Sequence, residues 1–432
     1  MSGKVSPNRI LRALRHRGYA IFTAGNLTSM SGEWIQRVGI GWLVWEMTHS
    51  ASWLGIIACA DMLPAVLISP LAGAYSDRIN RLRFVKMAVN LSAFQPLILT
   101  VLYFTGLLDI WLILLLALYN GVVGALRQSS WHTVIPYLVD RESLAPAVAL
   151  GSVTFNLSRF IGPAIAGPMI ATLGPGYTFL LNFIALGGYR IGLQFIKLVR
   201  DEVKNPRSGT NILTETIKGF RYTIRHPGIA PLIFLLLGSS IGQRPFVDLL
   251  PGFAAQVFAR GPEALGLMVS LVGLGALLGG LFLAMRPSVR GQSFIAINAI
   301  LLGAIGLLIF ASSQQFWLAL IGLTIAGSSL SLSGVGTMSL VQLAVEDNMR
   351  GRVMSIYGLI FRSGPALGTL MMGFAAESVG LRWPVAVGAG ICIFFWAITI
   401  RQRATIAKYV ELDSPRVKST IIDPNPPSKS PP

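Results

Sequence analysis

The chain has 432 residues, of which 53% are hydrophobic and 12% charged, with a formal net charge of +17. Soluble domains carry about 25% charged residues, so this composition excludes an ordinary water-soluble domain and points to lipid as the solvent. The two cysteines, Cys59 and Cys392, both lie inside apolar runs, which excludes a disulfide or zinc framework.

The apolar residues come in blocks, such as residues 110–126 and 294–311. A helix of about 20 apolar residues crosses the hydrocarbon and satisfies its own backbone hydrogen bonds there. The short alternating segments of a membrane barrel are absent from the sequence. The predicted fold class is therefore an all-α polytopic membrane protein of twelve transmembrane helices.

In chain order, a basic segment over 1–17 shows no cleavage site and leads into a first span at 18–46, read as a retained helix. This span carries Glu33 and Arg37, four apart on one face, next to Trp34 and followed by Trp42 and Trp45. The second span, 52–76, carries Asp61 with no helical partner nearby. Spans follow at 82–105, 110–135, 142–172 and 176–199. The fifth holds RFIGPAIAG, with Arg159, Gly162, Pro163 and Gly167, and the sixth holds Arg190. Over 200–227 a polar stretch precedes Ile212, Leu213, Thr216, Ile217, Phe220 and Ile224 at near-helical spacing, with Lys218, Arg221 and Arg225 between them. This pattern predicts a short amphipathic helix lying on the membrane surface. The seventh span, 228–258, carries Arg244 and Asp248, again four apart. Spans at 263–285, 291–313, 315–343, 350–379 and 382–402 complete the set. The eleventh holds FRSGPALG, with Arg362, Gly364 and Pro365. The Pro- and Ser-rich segment 403–432 is expected to be disordered.

An even number of crossings puts both termini on one side. Most loop Lys and Arg fall on that side, and Arg260 and Arg382 are the exceptions. The positive-inside rule makes that side cytoplasmic, so the excess charge orients the chain and meets anionic lipid rather than nucleic acid. The 200–227 connection divides the chain into halves at 18–199 and 228–402. The echoing Gly162-Pro163 and Gly364-Pro365 suggest a parallel repeat. Intramembrane charges are costly and so are functional candidates. Glu33 with Arg37 and Arg244 with Asp248 read as two acid–base pairs, and Asp61 reads as a protonation candidate. Arg159, Arg190 and Arg362 read as partners of these acids or of an anionic substrate. The tryptophans read more as packing or an interfacial belt than as a cavity lining. His16, His49, His132 and His226 fall near loops with no metal-ligand spacing.

The segment GAYSDRINRLR, residues 73–83, resembles the signature loop of the major facilitator superfamily. Gly73, Asp77, Arg78 and Arg81 match, while Asn80 stands for the usual Gly and Leu82 for a basic residue. EWIQRVGIGWLVWEMTHSASWLG, ALRQSSWHTVIPYLVDRESLAPAVAL with NLSRFIGPAIAG, and RGRVMSIYGLIFRSGPALG are similar to the exporter branch with enterobactin-exporter-like and macrolide-efflux-like proteins. The second-half loop AMRPSVRGQ lacks the signature Asp. The resemblance implies two six-helix halves, with the first and seventh helices bordering a central cavity. It implies a cytoplasmic gate in which Asp77 caps the start of the eleventh helix near Arg350, Gly351 and Arg352. Arg78 and Arg81 would join acids such as Glu346, and the fifth-helix Gly-Pro element is associated with export.

The expected activity is proton-coupled efflux of small amphipathic molecules by alternating access, with an uptake symporter or facilitator as the alternative. No G-x4-G-K-[ST] loop and no cluster of nucleophile, base or metal ligands appears in the sequence, so neither ATP hydrolysis nor an enzyme is expected. No cofactor, metal or nucleic acid is expected. The expected partners are a small-molecule substrate, protons and membrane lipids. The expected state is a monomer in a bacterial inner membrane with both termini cytoplasmic.

Overall fold

The computed structural model describes residues 11–76, 80–140, 142–196, 198, 212–286 and 289–412. Among these the chain is helical, with no strand. A 3-10 turn at Leu11–Arg15 leads into α1 (Arg17–Thr48), α2 (Ala51–Ser76), α3 (Arg81–Phe104), α4 (Ile110–Leu138), α5 (Leu144–Leu173) and α6 (Gly176–Gly192). After α7 (Ile212–Arg225) come α8 (Ile229–Val257), α9 (Pro262–Met285), α10 (Gln292–Ser312), α11 (Phe316–Ala344), α12 (Arg350–Val379) and α13 (Arg382–Arg401). Among the described residues, nine helices are long and apolar enough to cross a membrane: α2, α3, α4 and α8 to α13.

Local chemistry sets many of the ends. Asn80 and Asp109 cap α3 and α4 by accepting from the N–H of Arg83 at 3.0 Å and of Leu112 at 2.7 Å. Gly174 and Gly380 end α5 and α12 with φ of 91° and 80°, where a side chain would be strained. α8 is wound unevenly. At Ser239–Gln243 and Phe253–Val257 its hydrogen bonds skip an extra residue, for instance Arg244 N–H to Ser239 C=O at 3.1 Å.

Small residues bring several helix pairs to backbone contact, α5 with α9 and α2 with α12 among them. A Cβ on Gly266 of α9 would lie 2.7 Å from the Cα of Gly167 on α5. A Cβ on Gly55 of α2 would lie 2.8 Å from the carbonyl oxygen of Thr369 on α12. Both contacts sit at the end of the bundle away from the termini. Toward the terminus end the same helices expose Leu63, Leu67, Val148, Phe155 and Leu359. The two Gly-Pro elements pack alike: Gly162 of α5 lies on Trp34 of α1, and Gly364 of α12 lies on Ser240 of α8.

Two expectations are corrected. The sixth helix stops at Gly192, short of 199, and loosens into turns over Leu193–Phe195. Residues 403–412 are helical, with Ile406 and Val410 fully buried. There Glu411 accepts from the N–H of Gly291 and Ser293, both at 2.7 Å, and so caps α10. Burial of two apolar side chains and this charged cap hold a stretch that composition alone reads as disordered.

Candidate functional site

Three helices meet at a charged cluster two-thirds of the way along α1. Arg37 Nη2 donates to Asp248 Oδ1 on α8 at 2.9 Å. The hydroxyl of Thr369 on α12 lies 3.2 Å from Asp248 Oδ2 and 2.8 Å from the Pro365 carbonyl, with one proton to share. Farther out, Glu377 at the end of α12 accepts from the Ser50 hydroxyl and from the Ser52 N–H, the latter at 3.0 Å. A carboxylate is favourable there because it faces the positive end of α2. These contacts join α1, α2, α8 and α12 at the end of the bundle away from the termini.

The expected pairs within single helices are corrected. Glu33 does not pair with Arg37 but with Arg127 of α4, and Arg37 crosses to Asp248. Arg244 has no carboxylate at contact among the described residues. Positions four apart share a face, but on a face turned inward Glu33, Arg37 and Asp248 find better-directed partners on neighbouring helices. Asp61 accepts from Asn120 Nδ2 of α4 at 2.7 Å, so it has a partner after all, and a neutral one.

Arg159 and Arg37 flank the Trp34 ring, each 5.5 Å from its centre. Arg244 lies 3.8 Å over the ring of Phe361, and its enclosed Nε has no hydrogen-bond partner. Arg190 turns away from the acids and donates to Asn90 Oδ1 of α3 at 2.9 Å. Arg362 makes no ion pair among the described residues.

Sequence reading missed Arg127, Asn120 and Thr369 as partners, and it missed a second internal echo. Gln36-Arg37 on α1 and Gln243-Arg244 on α8 occupy matching places. Gln36 bridges Gln95 of α3 and Asn182 of α6, both at 2.8 Å. Gln243 bridges Ser329 at 2.8 Å and the Ala326 carbonyl at 3.3 Å, both on α11. The repeated dipeptide was the available signal.

At the terminus end, Gly73 lies in the last turn of α2, while Asp77 and Arg78 fall outside the described residues. Arg81 stacks over Tyr137 at 4.3 Å. Glu346 offers its N–H to the Tyr222 hydroxyl at 3.5 Å. Arg350 begins α12, and Arg352 reaches the Met349 sulfur at 3.0 Å while packing on Gly219 of α7. Desolvation pushes the Tyr222 phenol above its ordinary pKa and holds His226 below its own, against the opposing pull of Glu346.

Residues 10–423 match the model of a family described as transmembrane secretion effector, within the major facilitator superfamily. The chain belongs to this family. The resemblance read in its motifs therefore holds, and the protein is a multi-pass membrane transporter. As a transmembrane secretion effector it is 27% identical to the staphyloferrin A transporter of Staphylococcus aureus, over 83% of this chain and 90% of that one. It is 25% identical to the multidrug efflux pump Tap of Mycolicibacterium fortuitum, over 82% and 88%. Its fold is similar to a bacterial homologue of the lysosomal transporter Spinster, solved inward-facing and unoccupied, with TM-score 0.67 and 13% identity over 94% of this chain and 99% of that one.

Proposed function

We propose that this transmembrane secretion effector is a proton-coupled exporter of small amphipathic molecules. In this reading twelve helices cross a bacterial plasma membrane as two six-helix halves, 18–199 and 228–402, with 200–227 as a cytoplasmic connection. The two halves rock around the charged centre. The resemblance to a relative named as a multidrug efflux pump supports the direction of transport, and that to the staphyloferrin A transporter supports a small-molecule substrate.

One observation carries the coupling. Arg37 is bonded to Asp248 across α1 and α8, and Asp61 on α2 has the neutral Asn120 as its contact partner and no cation at contact among the described residues. When Asp61 is protonated, Arg37 answers Asp248 alone and the far end stays shut. When Asp61 loses its proton toward the terminus side, it draws on Arg37 and loosens the bond to Asp248. A proton taken up outside thus favours the state open to the inside, and its release favours the state that carries substrate outward. Asp77, Arg78, Arg81 and Glu346, with Arg350 and Arg352, form the opposing gate in this scheme, and the Gly-Pro elements serve as its packing joints.

The test uses purified protein in liposomes with an imposed pH gradient and a panel of drugs together with staphyloferrin A. An exported compound should speed collapse of the gradient. Asp61→Asn should abolish gradient-driven accumulation while leaving exchange of labelled for unlabelled compound intact. Proton movement indifferent to every compound, or normal accumulation by the Asp61→Asn protein, would refute the coupling.

A further inference from the structure

The two arginines of the repeated Gln-Arg dipeptide meet different fates. Arg37 on α1 finds Asp248 on α8. By the same internal repeat, Arg244 on α8 would find its acid on α1 at position 41, four beyond Arg37. That residue is Gly41, packed 3.1 Å (as a would-be Cβ) from Pro251. The counterpart acid is missing from the sequence, and Arg244 stands without one.

Its surroundings leave it poised rather than satisfied. Phe361 covers one face of the guanidinium at 3.8 Å. Such a contact occupies the face and leaves the N–H edge, the side that binds carboxylates in a fork, free to donate. Nε is enclosed and unpartnered. The Gly334 backbone abuts the other end of the guanidinium, where a side chain would collide with Nη2 at 2.9 Å. The Tyr357 hydroxyl donates to the Gly334 carbonyl at 2.9 Å beside the arginine.

Arg159 stands within electrostatic reach of Arg244, Arg37 and Asp248. Among the described residues it too has no carboxylate at contact, and it lies against Trp34. Arg37 takes Asp248, and Arg159 and Arg244 are left with no carboxylate at contact among the described residues. Guanidinium groups cannot shed their charge readily, and like charges brought together in a low-dielectric interior repel. An arrangement of this kind calls for a negative charge that the chain itself does not supply.

We propose that Arg159 and Arg244, walled by Trp34 and Phe361, bind the carboxylate of an organic anion carrying an aromatic or apolar body. This deepens the exporter reading and rests on it for the claim that the anion is moved. The binding site itself stands on the side-chain geometry. A guanidinium edge fixes the carboxylate in the plane of the fork, and the two rings accept the apolar remainder. Export of cationic drugs is disfavoured by the same charges.

The experiment uses two xanthene dyes of similar size and opposite charge, fluorescein and tetramethylrhodamine methyl ester. Binding to purified full-length protein is read by fluorescence anisotropy. Fluorescein should bind saturably, and at least tenfold more tightly than the cationic dye. Arg244→Gln and Arg159→Gln should each weaken fluorescein binding tenfold or more, and Arg244→Lys should weaken it less than Arg244→Gln. Each variant is first checked for a monodisperse elution profile, and the lysine variant reports the charge if the glutamine variant fails that check. Tighter binding of the cation, no saturable binding of fluorescein, or unchanged binding in the variants would overturn the proposal. Efflux from loaded cells separates the two claims. Export of the cationic dye with exclusion of fluorescein sinks the anion site and spares export. Arginine-dependent fluorescein binding without movement of any compound sinks export and spares the site.

Discussion

His226 turns its Nδ1 toward the N–H groups of Gly228 and Ile229, each 3.2 Å away, and so caps α8 as an unprotonated acceptor. Desolvation holds its pKa below the ordinary value. The folded state therefore binds this proton less readily than the unfolded chain does. The stabilisation is complete above the unfolded pKa of about 6.5 and is lost as pH falls below it. A cap of this type contributes about 1 kcal/mol. Lowering the pH from about 7.5 to about 5.5 should reduce the melting temperature of the wild type more than that of His226→Asn, which keeps an acceptor that does not titrate. Equal losses in both proteins would remove His226 from the account. At this scale the sequence disclosed which charges lie within long apolar blocks, because an ionised group there is conspicuous. It did not disclose their partners. Glu33 and Arg37 look paired by spacing, yet Arg127 and Asp248 take them, since the deciding contacts are between helices.

The close pairing of α5 with α9 depends on the absence of side chains at Gly167 and Gly266. A larger residue at either place must push two backbones apart, and overpacking of this kind costs about 1–3 kcal/mol. Gly266→Leu should lower the melting temperature and reduce export severalfold. Gly358→Leu on α12, where a Cβ meets nothing within 4 Å, should leave both unchanged. If the two variants behave alike, close approach is not what Gly266 provides. The long helices were legible because hydropathy marks any segment that must lie in lipid, as in α10 and α11. The docking of Ile406 and Val410 was not legible, since two apolar residues in a polar tail give no periodic signal. The π turns of α8 were equally silent, because they change which carbonyl an N–H selects and leave composition untouched.

Across the whole molecule, the bond of Arg37 to Asp248 and the cap of Glu377 on α2 join helices at one end of the bundle. Removing both should shift the population toward a state open at that end. Spin labels at Met47 and Val379, both exposed, report the opening in a background lacking Cys59 and Cys392. The double variant Asp248→Asn with Glu377→Gln should lengthen that distance, and a distribution identical to the parent's would show that the end is held by packing alone. The two Gly-Pro elements were readable in the sequence as an echo. The Gln-Arg dipeptide is short enough to pass for chance, and its two glutamines bond differently, Gln36 to α3 and α6 and Gln243 to α11. The uneven winding of α8 carries a further consequence. A π turn holds one residue more than an α-helix of the same rise requires. A natural variant that lost a single residue between 239 and 243 would regain ordinary winding and keep a rod of full span. The same loss between 229 and 238, where no spare residue is held, would instead rotate everything beyond it by about 100°, one residue's share of a turn. Such a chain would insert and accumulate like its parent but aim Asp248 past α1, a silent lesion that abundance measurements alone would miss.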